Sequence, residues 1–267
     1  MDPNALPRFR RWFERYSDRF FGDDEYVNAH LRLKQEHTAR TCEEIVRLAS
    51  ALALDDDEMR IAELTALLHD VGRFPQFAQY RTYNDLRSID HGQKGVEVLR
   101  AEGVLDILPA EERQWVETAV GLHNRKSLPS TLKGRALLFT KLIRDADKID
   151  IFRVVLEYYR SRRGNPQSSC TLELEIELPD TPQYNPEVLK AVRNEEAVDW
   201  GKLRTLTDAR LCQLGWVYDL NFTPSLCRIE ECGYLAELIG FLPQDEQIQS
   251  LCRKIQADVA SRLAAIP

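Results

Sequence analysis

Up to about residue 160, apolar positions recur at helical spacing. Between Tyr26 and Leu54 the residues Thr41, Ile45, Leu48 and Leu52 share one arc at about 100° per residue, and His37 lies on the same arc, so an ionisable side chain belongs to an inward face. The stretch DDEMRIAELTALLHD predicts a second helix. Its acidic start suits the positive end of the helix dipole, and Gly72 and Pro75 punctuate its end, which leaves His69 and Asp70 in the last turn. Asp90 is a candidate N-cap for a helix that begins near His91 and runs through Gly95, Val98 and Leu99. Glu111 to about Leu122 predicts another, ending at His123-Asn124 before the loop RKSLPS. Arg135 to Tyr159, with FTKLIRDADKIDIFRVV, is apolar almost all the way round and is expected at the centre of a bundle.

After Gly164 the pattern changes. TLELEIEL alternates with a period of two and predicts an exposed strand or hairpin arm, while the prolines of PDTPQYNPEV predict a loop. Helical periodicity returns in LRTLTDARLCQLGWVYDL and IEECGYLAELIGFL and in an amphipathic helix from Glu246 to Ala265. The expected fold is therefore all-α, a helical bundle with a small β-hairpin or strand excursion near residues 168–180. Residues 1–164 would form the core with an N-terminal helix, 165–185 the excursion, and 186–267 a set of helices packing back on the core as one compact domain.

Composition narrows the function. With 267 residues, 43% of them hydrophobic, the chain can bury a substantial core. No apolar run approaches the roughly 18 residues of a membrane span, and MDPNALPRFRRWFERYSDRF has neither an apolar core segment nor a small-residue cleavage site, so a cytoplasmic protein is expected. The six cysteines form no C-x-x-C pair and read as reduced thiols. A net charge of -7 argues against general nucleic-acid binding, which needs a basic surface, and the local patches RFRRWFER and RSRRG read as solvated helix faces.

The polar pair in LLHDVGRFPQF, Leu67 to Phe77, has three readings: a polar helix end, a proton-transfer pair, or two metal ligands. Metal chemistry needs nitrogens and carboxylates converging from different elements. Only five histidines exist, and four of them, His37, His69, His91 and His123, fall on separate predicted helices or at their ends, with Asp70 and Asp147 adding carboxylates. His30 has no motif context and is expected to be structural.

This order, with LLHDVGR and DADKID as local context, resembles the HD-domain superfamily of metal-dependent phosphohydrolases over about residues 30 to 155. The resemblance implies that His37, His69, Asp70 and Asp147 bind one divalent ion. It also implies that His91 and His123 bind a second, with Asp70 as bridge. A carboxylate can offer one oxygen to each of two ions, whereas a neutral imidazole has a single lone pair. Asp145 competes with Asp147 for the last place. The two lie about 200° apart round a helix, and apolar neighbours do not decide between them. The family's Ala-Asp-basic motif selects Asp147, leaving Asp145 and Asp150 as partners of Arg or Lys or as acceptors for a ligand histidine.

Cations flank these motifs: Arg73 after the HD pair, Arg125 and Lys126 after His123, and Lys148 after Asp147. Such groups beside a metal suit phosphate oxygens. Asp70, Lys148 and Arg73 are the candidate catalytic groups, and Arg73, Lys126 and Lys148 the candidate substrate contacts. Phe74, Phe77, Tyr80 and Tyr83 could stack on a base, but are expected mostly as cover. The expected function is hydrolysis of a small phosphate ester, such as a nucleotide, with one or two ions of Mn, Fe, Co, Ni, Zn or Mg. The alternatives are a di-iron oxygenase, known among superfamily members with this larger ligand set, and a non-catalytic metal and nucleotide sensor.

Overall fold

The helical periodicity of the first 160 residues is realised closely in the computed structural model, which describes residues 2, 4–164 and 178–265. The chain divides into two units, Met1–Asp150 and Ile151–Pro267. In the first, α1 (Ala5–Asp18) buries Phe9, Phe13 and Tyr16. It is followed by α2 (Glu25–Ala51), which starts where the Asp24 carboxylate accepts from the backbone N–H groups of Tyr26 and Val27. A reciprocal capping box between Asp55 and Glu58 opens α3 (Asp56–Leu68). The Asp90 carboxylate caps α5 (His91–Ala101), as its position predicts, by accepting from Gln93 N–H. Then come α6 (Ala110–Leu122) and α7 (Gly134–Gly164), the latter crossing the boundary between the units after Asp150. Helix α2 packs on α3, α3 on α1 and α6, and α5 on α6.

In this unit one helix was not expected. Residues after Gly72 form α4 (Arg73–Tyr80) despite Pro75. Proline falls in the first turn of this helix, where an N–H has no intrahelical acceptor, so its missing donor costs nothing there. Helix α4 makes Phe74 and Phe77 core residues. Phe74 packs edge-on to Phe13 and Tyr16 of α1, and Phe77 stacks on His30 at 4.1 Å and meets the tilted Tyr83 ring at 4.6 Å. His30 is likewise buried among these rings, in line with a structural role.

In the second unit, α8 (Pro186–Arg193) begins inside the stretch expected as a loop. Asn185 caps it, and Pro186 occupies a first-turn position. Helix α9 (Leu206–Leu214), opened by a Thr205–Asp208 capping box, has all nine residues buried. Helices α10 (Thr223–Glu231), α11 (Tyr234–Gly240) and α12 (Glu246–Ala264) follow. Helix α9 packs against α8 and α11. The Tyr159 hydroxyl of α7 donates to Gln213 at 2.8 Å, and the Arg210 guanidinium sits 4.6 Å over the Tyr159 ring while pairing with Asp180.

No strand occurs among the described residues. Most of the excursion expected near residues 168–180 lies outside them. The part that is described, residues 178–180, is irregular rather than extended in a ladder. Pro179 has no N–H to donate to a ladder, and its carbonyl instead accepts from Leu206 N–H at the start of α9. Cys42, Cys212 and Cys252 are buried and Cys227 and Cys232 partly so, all as free thiols. No described helix is long and apolar enough to cross a membrane.

Candidate metal centre

Four histidines and two aspartates meet within the first unit, and each arrives by a local device. On α2, His37 faces inward with Thr38 and Thr41, all three buried. His69 and Asp70 leave the C-terminal end of α3, where the Tyr16 hydroxyl donates to the carbonyl of Val71 at 3.1 Å and ties α1 to the turn. The turn then passes so close to α5 that a Cβ on Gly72 would lie 2.1 Å from the His91 carbonyl oxygen and 2.7 Å from Gly95 N. Only glycine allows that approach, and it is the approach that places His91 beside Asp70. His123 follows the last turn of α6, and its carbonyl accepts from Nη1 of the buried Arg144 at 3.0 Å. Asp147 comes from α7.

All four imidazoles are held the same way round. His37 Nδ1 is 2.7 Å from Asp150 Oδ2, His69 Nδ1 is 2.7 Å from the Ala66 carbonyl, His91 Nδ1 is 2.6 Å from Asp85 Oδ2, and His123 Nδ1 is 2.8 Å from the Val120 carbonyl. Each Nδ1 faces an acceptor and therefore carries a proton, so each ring, when neutral, presents its lone pair at Nε2. Those four nitrogens converge on Asp70. Oδ2 is 3.7 Å from His37 Nε2 and 3.6 Å from His69 Nε2, while Oδ1 is 3.5 Å from His91 Nε2 and 3.7 Å from His123 Nε2. Asp147 Oδ1 joins the first pair, 3.1 Å from His37 Nε2 and 3.8 Å from His69 Nε2. Asp145 is wholly buried, and Asp147 is the aspartate that meets His37 and His69, as the family motif requires.

Lone pairs facing carboxylate oxygens repel unless a cation lies among them. His37 Nε2 and His69 Nε2 are buried without a hydrogen bond of acceptable geometry, and the Nε2 atoms of His91 and His123 face each other at 3.0 Å. Two donors bound to one ion at about 2.0 to 2.2 Å would stand roughly 3.0 to 3.5 Å apart, close to the separations found. The triads His37, His69, Asp70 and Asp70, His91, His123 are each able to hold an ion, as is His69, His123, Asp147. The residues thus fit a divalent metal.

Protonation supports the fit. Burial, aided by Arg73 at His91, pushes the pKa values of His69 and His91 down to about 4 against the pull of neighbouring carboxylates, so both stay neutral. At His37, burial and Lys34 push down, but Asp147 and Asp150 outweigh them and raise the value to about 9, the mark of a position that attracts positive charge. Asp70 stays ionised far below the usual carboxylate range: burial opposes this, but Lys34, His69, His123 and Arg73 together prevail.

The flanking residues fall into clear places. Asp150 takes the supporting position expected of it: Oδ2 faces His37 Nδ1, while Arg40 Nε and Nη2 donate to Oδ1 and Oδ2 at 2.8 and 3.2 Å. Arg73 Nη1 donates to Gln76 Oε1, the Tyr83 carbonyl and Asp85 Oδ1 at 2.6 to 3.0 Å, with its Nε 3.5 Å from Asp70 Oδ1. Lys148 is half-buried on α7, Lys126 is exposed after α6, and Arg125 pairs with Asp90. Sequence reasoning missed Asp85, Arg144 and Lys34. Lys34 Nζ donates to Asp70 Oδ2 at 3.0 Å. Its position three residues before His37, on the same helix face, was an available signal; for Asp85, which opens a short 3-10 turn (Asp85–Arg87) between α4 and α5, there was none.

Residues 35–151 match the family model described as HD domain. No curated protein and no solved structure matches the chain. The matched span contains all six converging residues in family order, and the buried cluster has the donors such a domain uses to hold a metal. Residues 35–151 thus carry an HD-domain match, and their buried His/Asp cluster fits the metal site of such a domain.

Proposed function

We propose that the protein is a metal-dependent phosphohydrolase acting on a small phosphate ester, such as a nucleotide. The observation that carries this reading is the division of the Asp70 carboxylate. One oxygen faces the Nε2 pair of His37 and His69, and the other faces that of His91 and His123. In this reading His37, His69, Asp70 and Asp147 hold one divalent ion, and Asp70, His91 and His123 hold a second. Such ions lower the pKa of bound water towards neutrality and offset charge on a phosphoryl group. The chain's own residues prepare for that chemistry. Asp150, Asp85 and two backbone carbonyls fix the imidazoles as neutral Nε2 donors, which avoids reorganisation when ligands bind.

Charge also favours a phosphate. As ligands, four neutral imidazoles and two carboxylates carry -2 and the Lys34 ammonium on Asp70 adds +1, so two divalent ions leave a centre of net positive charge, suited to an anionic phosphate group. Lys148, adjoining Asp147, is assigned with Lys126 to the outer part of the substrate's anionic group. Arg73 is assigned to positioning, because its fork spans Gln76, Asp85 and the Tyr83 carbonyl.

The six-donor set also supports the reading as a di-iron oxygenase. The deciding experiment is a screen of phosphomonoesters and phosphodiesters with Mn, Co, Mg, Ni, Zn and Fe(II), run beside measurement of oxygen uptake. Metal-dependent phosphate release without oxygen uptake supports the proposal. Iron-dependent oxygen uptake with no hydrolysis of any ester contradicts it.

A further inference from the structure

Of the cations around the centre, Arg40 is paired with Asp150 and Arg73 with Asp85, the carboxylates that hold His37 and His91. These two pairs cancel in charge. Lys34 is different. Among the described residues its ammonium donates to Asp70 Oδ2, at 3.0 Å, and lies against the face of the Tyr83 ring, 5.1 Å from Nζ to the centroid. An ammonium has three protons to donate, so the bond to Asp70 leaves it able to reach a ligand oxygen. The oxygen it contacts is the one that faces His37 Nε2 and His69 Nε2, where an ion would take the lone pair. Lys34 is therefore the cation whose own carboxylate is claimed by the metal.

Exposure points the same way. The side chains of the four histidines and Asp70 are at most 5% exposed, whereas Lys34 and Asp147 are each 19% exposed. Each is thus partly open to solvent beside the first ligand group. The Tyr83 hydroxyl, donating to the His30 carbonyl at 2.9 Å, anchors the ring that Lys34 lies against. The ammonium is thus held near the centre, though it ligates nothing there itself.

We infer that Lys34 is a substrate-binding residue that donates to a non-bridging phosphoryl oxygen at the first ion site. This rests on the phosphohydrolase reading and adds to it a specificity for groups with an anionic oxygen beside the metal. Binding exchanges one charge-assisted hydrogen bond, to Asp70, for another to the ligand, so the ammonium is never left buried and unpaired.

The test is calorimetric titration of the Mn(II)-loaded full chain with inorganic phosphate, for wild type, Lys34→Met and Lys34→Arg, with metal content measured on each sample. Wild type should bind phosphate only when loaded. Lys34→Met should weaken binding by roughly 10- to 150-fold, the effect of one charge-assisted hydrogen bond, while keeping its metal, and Lys34→Arg should restore most of the loss. Equal phosphate affinity in wild type and a metal-replete Lys34→Met would overturn the role of Lys34 and leave the hydrolase reading standing. Loss of metal from Lys34→Met would overturn it too, by making the lysine a structural counter-charge. Failure of loaded wild type to bind phosphate would contradict the hydrolase reading itself, and Lys34 with it.

Discussion

His91 and His123 face each other through their Nε2 atoms at 3.0 Å, while Asp85 holds the opposite nitrogen of His91 at 2.6 Å. Asp85 thus aims a lone pair that would otherwise turn away from its neighbour. Asp85→Ala should weaken metal binding at the His91–His123 side by about 10- to 100-fold, the usual effect of losing such a support, and spare the ion at His37 and His69. Competition titration with a metal indicator resolves the two classes. Unchanged affinity in both would show that packing alone orients His91.

Asp147 and Asp145 are two residues apart on α7 but differ in setting: Asp147 lies 3.1 Å from His37 Nε2, and Asp145 is wholly buried. Asp147→Asn should therefore lose metal from the first site and most of the activity. Asp145→Asn should keep its metal but unfold at lower temperature, since it alters a buried polar group. Metal analysis and thermal unfolding on both variants check this, and the reverse pattern would show that Asp147 is the wrong aspartate.

Gly72→Ala would place a methyl group 2.1 Å from the His91 carbonyl oxygen, against backbone that cannot rotate aside. The expected cost is about 1–3 kcal/mol or more, together with weaker metal binding at His91. Gly22→Ala, where nothing lies within 4 Å, is the control and should be close to neutral. Chemical denaturation measures both. Equal stability of the two variants would mean that the α4–α5 approach relaxes without penalty.

The converging histidines and aspartates were legible because metal chemistry constrains residue type and chain order, and because helical periodicity placed His37, His69, His91 and His123 on inward faces or helix ends. The choice of Asp147 was not legible from periodicity, since α7 is apolar almost all round; the family motif supplied it. Helix α4 was obscured because Pro75 marks an interruption only in a helix interior, whereas here it sits in a first turn. Lys34, Asp85 and Arg144 were hidden for another reason. Their roles are set by where side chains meet across elements, as with Lys34 on α2 and Asp70 beyond α3, and apart from the helical offset between Lys34 and His37 no local pattern records that.

The central claim is that Asp70 serves two ions, and ion stoichiometry tests it most directly. Plasma mass spectrometry of Mn(II)-loaded wild type should give about two ions per chain, and the double variant His91→Ala, His123→Ala about one. Two ions retained in the double variant, or no more than one in the wild type, would contradict it.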